Sequence, residues 1–140
     1  TVILMFGDHQ PGDAVVRSLY TSVGQTYPPE SFEDQYKRYI VPFFLWANFD
    51  IEEKDDVTIS ANYLSTLLCE VAGIELTPQM KYLSELYEKY PVLNANGYID
   101  SDGNLFSADK INENGDLNEY SCIQYNLLFD RKERVEALFK

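Results

Sequence analysis

The sequence predicts an α/β domain, a short sheet with packed helices and a small β-hairpin, and three observations carry that expectation. Thr1 to Phe6 is a non-alternating run of apolar and β-branched residues, the pattern of a strand buried on both faces inside a parallel sheet. Ile40 to Asn48, centred on Phe43-Phe44-Leu45-Trp46, reads the same way and is expected to lie beside the first strand. Two later stretches, 60–72 and 78–90, carry apolar residues at helical spacing instead. At 140 residues with 45% hydrophobic content, the chain fits one domain able to bury a core, so disorder is not expected.

The first block, 1–12, is a strand that breaks at Gly7 into the turn Gly7-Asp8-His9-Gln10-Pro11-Gly12. The second, 13–39, holds a short helix over Asp13 to Tyr20 and a loop over Thr21 to Glu30 with Pro28-Pro29. A helix then runs from Ser31 to Tyr39, where Ser31 and Asp34 have capping-box-like spacing. The third, 40–92, contains the second strand, with Pro42 at its start where a missing N–H is tolerated. Two helices follow it. One is expected to be capped by Ser60, with Tyr63, Leu64, Leu67, Leu68, Val71 and Ala72 on one apolar face and Gly73 ending it. The other starts at Thr77-Pro78, a cap followed by proline, and runs to Pro91 with Met80, Leu83, Leu86, Tyr87 and Tyr90 as a core stripe. The fourth block, 93–140, reads as a hairpin in which Tyr98-Ile99 and Leu105-Phe106 flank an Asp-Gly turn. A final helix follows, carrying Leu117, Tyr120, Ile123, Leu127 and Leu128, and then a charged tail from Asp130.

A formal net charge of −12 argues against nucleic acid or an anionic membrane surface as partner, because no basic patch offsets that field. A metal cation would be attracted. The longest apolar runs fall well short of the roughly 20 residues that span a bilayer. Cys69 and Cys122 have no metal-ligand spacing, and sequence leaves open whether they pair; two free thiols on helices are the simpler expectation. Because Thr1 already stands inside an expected core strand, the chain is expected to be an excised piece of something longer.

Asp8 and His9 are the focus of the chemistry. In open α/β sheets ligands sit beyond the carboxyl ends of strands, and a carboxylate beside an imidazole there offers two metal-ligand types. His9 is the only histidine, which excludes any site built on a second imidazole. The alternative, an Asp-His pair that merely forms a solvated turn, stays open. The acidic run Asp50 to Asp56 is expected to be a solvated loop. Asp100, Asp102 and Asn104 do not match a calcium loop, since glycine falls at the fourth position and Ile111 at the twelfth.

Met5-Phe6-Gly7-Asp8-His9-Gln10-Pro11, then Tyr39 to Asn48, Ser60-Ala61-Asn62-Tyr63-Leu64, Pro91 to Tyr98 and Gln124-Tyr125, together resemble the lipoteichoic acid synthase-like phosphoglycerol transferases of the alkaline phosphatase and sulfatase superfamily. The resemblance implies that the chain is the carboxyl-terminal portion of an alkaline phosphatase-like sandwich. It further implies a membrane-anchored parent whose extracytoplasmic domain moves phosphoglycerol from a phosphatidylglycerol-type lipid to a cell-envelope polymer through a covalent threonine. Only Asp8 and His9 carry over, as two ligands of a divalent ion, manganese first, with magnesium or zinc as alternatives. The nucleophile and remaining ligands would lie upstream of Thr1.

The partners implied are the remainder of the catalytic domain and the lipid. The piece itself is expected to be soluble, inactive alone, a weak metal binder and prone to self-association. Two alternatives stand beside this reading: a piece of a sulfatase or phosphoethanolamine transferase of the same superfamily, and a non-catalytic interaction module.

Overall fold

The computed structural model describes residues 1–130 and 132–140. It is α/β, with two small antiparallel sheets and several helices, and it divides into two compact units, 2–48 and 49–140, the second taking Thr1 with it.

Unit 2–48 is built on a two-stranded ribbon, β1 (Val2–Phe6) and β2 (Phe43–Ala47), with α1 (Asp13–Ser22) and α2 (Phe32–Lys37) between them. The two strands are neighbours, as their matching composition suggests. They run antiparallel, with Val2 opposite Ala47 and Phe6 opposite Phe43, which corrects the expectation of a parallel sheet. Apolar runs encode burial and not direction, and here the 7–42 connection brings the chain back beside β1 in the opposite sense. Burial on both faces also fails. Side chains alternate across a strand, and the face holding Val2, Leu4, Phe43, Leu45 and Ala47 is half-buried. On the other face Ile3, Met5, Phe44 and Trp46 are 43–56% exposed. Two strands alone have no layer to set against both faces. Ser31 caps α2 as its spacing predicts, its Oγ accepting from the Asp34 N–H at 3.0 Å, and Val16 of α1 and Tyr36 of α2 are the buried positions of the two helices. The helix stops at Lys37, two residues before Tyr39.

Unit 49–140 contains α3 (Leu64–Ala72), α4 (Pro78–Lys89), a meander of β3 (Val92–Asn94), β4 (Gly97–Ile99) and β5 (Leu105–Ser107), and α5 (Gly115–Leu128). Its core gathers Tyr63, Leu83, Leu86, Leu93, Tyr98, Leu117 and Tyr120, so α4, α5 and the sheet share one apolar centre. Each fully buried leucine there contributes roughly 1.5–3 kcal/mol. Thr77 caps α4 through Met80 N–H at 3.2 Å with Pro78 in the first turn, and Gly73 ends α3 in the left-handed conformation at φ 68°.

Two local expectations need correction. Ser60 does not cap a helix: Ala61–Tyr63 forms a 3₁₀ turn first, and the Ser60 hydroxyl accepts from Leu93 N–H at 3.1 Å while donating to Asn62 Oδ1. A second Ser60 contact, N–H to the Pro91 carbonyl at 3.0 Å, fastens this segment to the start of β3, a strand too short to register as a periodic pattern. On α3, Leu67 and Leu68 are half-buried, while Leu64 and Thr66 are the buried positions.

The expected hairpin is the β4–β5 pair, Tyr98 opposite Phe106 with their rings stacked at 4.7 Å, extended by β3 into three strands. Gly97 is required there. A Cβ at this position, at φ +154°, would lie 1.9 Å from the Phe106 carbonyl oxygen.

Candidate metal centre

The turn after β1 is held from two sides. Gly7 N–H donates to the Pro42 carbonyl at 3.0 Å, carrying the β1–β2 ladder one step past the strand. Gln10 Nε2 donates to the carbonyls of Ile40 at 2.9 Å and Lys37 at 3.2 Å, the chain that leaves α2 and enters β2. Gly7 itself packs closely, since a Cβ there would sit 3.0 Å from Val41 Cβ. Asp8 and His9 therefore project from a turn tied at both ends. Their side chains are 84% and 76% exposed.

Asp8 Oδ2 and His9 Nε2 lie 3.5 Å apart, while His9 Nδ1 is 2.7 Å from the Gln10 carbonyl oxygen. A carbonyl can only accept, so Nδ1 carries the hydrogen in that contact, and in the neutral ring the Nε2 lone pair is free on the side facing Asp8. This is the usual arrangement of a metal-ligating histidine, with its second nitrogen anchored to a backbone oxygen. Two donors each ~2.1 Å from one ion stand about 3.0–3.5 Å apart at octahedral to tetrahedral angles, a separation the pair meets. The pair fits a divalent ion as two of its ligands. Among the described residues no group of three or more His, Cys, Asp or Glu side chains could hold a metal.

The other candidates resolve into structural roles. The 50–56 run is an exposed loop in which Lys54 pairs with Glu52 at 3.1 Å and Asp56 takes a left-handed φ of 56°. Asp100 closes its own turn, its Oδ1 accepting from Asp102 N–H and Asn104 N–H at 3.0 and 2.8 Å. The Asn104 side-chain amide, donating to Oδ2 at 3.0 Å, and then these backbone bonds hold its carboxyl below the usual range. Asn114 caps α5 through Asp116 N–H at 3.1 Å. Cys69 and Cys122 are free thiols, the first half-buried and the second exposed.

Two features have no signal in the sequence. Gln10 belongs to the turn motif, yet nothing in the linear order shows that it reaches residues some 30 positions away. Asp13, at the start of α1, accepts from the Tyr27 hydroxyl and from Arg38 Nη2, both at 2.7 Å, and the Arg17 and Arg38 guanidinium groups stand 5.2 and 5.1 Å from the Tyr27 ring centre. The Tyr27 bond, then the Arg38 bond, lowers the Asp13 carboxyl pKa, and the same Asp13 contact raises that of Tyr27. Separations of 14 and 25 residues leave no periodic trace of this cluster.

Comparison with known proteins gives one informative likeness. The chain is 28% identical over its whole length to a Rhizobium meliloti (strain 1021) protein named for cyclic beta-1,2-glucan modification. It spans 22% of that relative's length. No family model and no solved structure matches the chain.

Proposed function

We propose that the chain is part of a metal-dependent phosphoglycerol transferase that modifies a cell-envelope glycan, contributing Asp8 and His9 as two ligands of a divalent ion. The carrying observation is the anchored pair itself: an Asp oxygen and an imidazole nitrogen 3.5 Å apart, with the other imidazole nitrogen committed to a backbone carbonyl. The glucan in the relative's name supports a sugar hydroxyl as acceptor, a finer choice than the growing polymer expected from sequence. A bound divalent ion would make a hydroxyl nucleophile more acidic and offset charge developing on phosphorus. Asp8 supplies a hard oxygen and His9 a nitrogen, a mixed set suited to manganese, zinc or magnesium. Gln10 holds the turn that presents them. The nucleophile and the lipid headgroup site belong to the remainder of such a domain, and the membrane anchor to the parent protein. No helix among the described residues is long and apolar enough to cross a membrane.

His9, as the only histidine, gives a direct test. In nitrogen-15 NMR its ring should show the Nδ1–H tautomer, and millimolar manganese should broaden its resonances selectively, an effect that Asp8→Ala removes. Two ligands hold an ion weakly, since losing even an outer-shell partner costs about 10- to 100-fold in affinity. No broadening at millimolar manganese, or identical broadening in Asp8→Ala, would reject the shared site. Tight one-to-one binding with phosphodiesterase activity that His9→Ala abolishes would show instead a complete site. In the complete enzyme, either alanine variant should abolish glycerol phosphate release from a phosphatidylglycerol analogue while the protein stays folded.

A further inference from the structure

Unit 2–48 stacks two arginines on one tyrosine. The Arg17 and Arg38 guanidinium groups stand 5.2 and 5.1 Å from the centre of the Tyr27 ring. That ring is itself held, its hydroxyl donating to Asp13 Oδ1 at 2.7 Å and its edge meeting Tyr20, with centroids 5.5 Å apart. Arg38 Nη2 donates to the same Asp13 oxygen at 2.7 Å, while Arg38 Nε is buried without an acceptor. Arg17 has no carboxylate within ion-pair distance among the described residues; the one ion pair of the cluster is that of Arg38 with Asp13. A single carboxylate therefore serves two permanently charged guanidinium groups, a local excess of positive charge in a chain whose net charge is −12.

We infer that the Arg17–Tyr27–Arg38 stack is a binding site for a phosphate group. A guanidinium fork matches phosphate oxygens with parallel N–H donors, and Asp13 takes up Nη2 alone on Arg38. Stacking on Tyr27 has already restricted both long side chains, so less rotamer freedom is lost when a ligand arrives. An anion lying against the ring is within the ~8 Å over which charges act in physiological salt, and both cations attract it. The forks come from two elements, Arg17 from α1 and Arg38 from the end of α2. A tetrahedral phosphate presents acceptor oxygens on several sides and suits that arrangement better than a planar carboxylate with its single edge. The stack also adjoins the Asp8-His9 turn, because Gln10 holds the Lys37 and Ile40 carbonyls while Asp13 holds Arg38, fastening 10–13 to 37–40. Phosphate binding here needs no ion on Asp8 and His9. The phosphate can be free or can belong to a lipid headgroup.

Nitrogen-15 NMR of the intact chain, in chelator, reads the Nε–H signals of Arg17 and Arg38 directly. Inorganic phosphate should shift both, together with the Tyr27 ring, along one saturation curve with a dissociation constant on the order of millimolar. Sodium chloride at matched ionic strength should not. Arg17→Gln should weaken binding about fivefold, and Arg17→Lys should restore part of it, since lysine keeps the charge and loses the fork. Lys89→Gln, which removes a cation of unit 49–140, should leave it unchanged. Glycerophosphorylglycerol is titrated alongside: shifts matching those of phosphate assign the site to a lipid headgroup, and a response to inorganic phosphate alone assigns it to the free ion. No shift in millimolar phosphate overturns the site. Equal shifts with chloride, or wild-type affinity in Arg17→Gln, would mean an adventitious ion only and overturn it too. Arg17 is exposed, so its variants should stay folded; should they not, the wild-type titration against chloride decides by itself. The chelator separates this result from the manganese experiment, so either can fail while the other stands.

Discussion

The two units use similar apolar residues to opposite ends. Among the described residues, unit 49–140 holds eight of the ten buried hydrophobic side chains, while unit 2–48 holds two, Val16 and Tyr36. Among the described residues, the smaller unit exposes eleven large hydrophobics, among them the ribbon face, Val15 and Leu19 on α1, and Val23 just after it; the larger exposes six. Apolar content alone does not tell a core from an exposed face. What differs is closure. Three short strands, two long helices and a 3₁₀ turn converge on Leu117, whereas the ribbon is two strands with one face left in water, and an isolated pair of strands is marginal.

The sharpest way to break the contrast is Gly97→Ala. The added carbon would collide with the Phe106 carbonyl at a φ that only glycine adopts readily, so unit 49–140 should lose more than about 4 kcal/mol or fail to fold. Urea unfolding followed by circular dichroism checks this, and a loss below about 1 kcal/mol would mean that β4 and β5 are not so close. Next comes a pair of matched truncations. Leu117→Ala, at a position with no exposure, should cost about 2–5 kcal/mol, whereas Ile3→Ala on the ribbon should cost under about 1 kcal/mol in dilute solution. Equal melting temperatures for the two variants would erase the distinction between the units.

Acid and base should sharpen the comparison with smaller effects. Burial pushes the Tyr82 hydroxyl up to about 12 and raises Tyr63 and Tyr120 as well, against an ordinary value of 10.0. These groups favour the folded state fully below pH 10, and that stabilisation is lost as pH rises through their folded values. Unit 49–140 should therefore resist tyrosinate formation above pH 10 and then ionise and unfold together, which ultraviolet titration would show. In unit 2–48 the sign reverses for Asp13, whose pKa lies below the ordinary 3.8. Its contribution is present above that value and disappears as pH falls through the depressed one, releasing Tyr27 and Arg38. Trp46 emission follows that unit alone, and Asp13→Asn should flatten its acid limb slightly.

How legible each part was follows from the range of the interactions that make it. Helix starts and stops are local, so Ser31, Thr77-Pro78 and Gly73 mark their termini in sequence as they do in the fold. The Tyr98/Phe106 hairpin is equally local. Strand direction is not, and the apolar runs of β1 and β2 said nothing about antiparallel pairing. Three-residue β3 left no periodicity, and the Ser60 hydroxyl was diverted from a cap to Leu93 N–H, 33 residues away. At the site, adjacency alone brings Asp8 and His9 within reach of each other. The orientation of the imidazole depends on the Gln10 carbonyl, which composition cannot reveal.

The tie made by Gln10 has an evolutionary consequence. By holding the Lys37 and Ile40 carbonyls, it fixes the Asp8-His9 turn to the entrance of β2 and not to the segment that follows it in sequence. Residues 11–36 form an excursion whose two ends are already pinned, and lengthening such a loop costs only about 0.6 kcal/mol per doubling. Insertions and deletions can accumulate there, over the 21–30 loop above all, without displacing the pair. Related chains should drift in length between the glutamine and the second strand while the spacing from glycine to glutamine stays constant, so the tie lets a conserved geometry travel through a variable sequence.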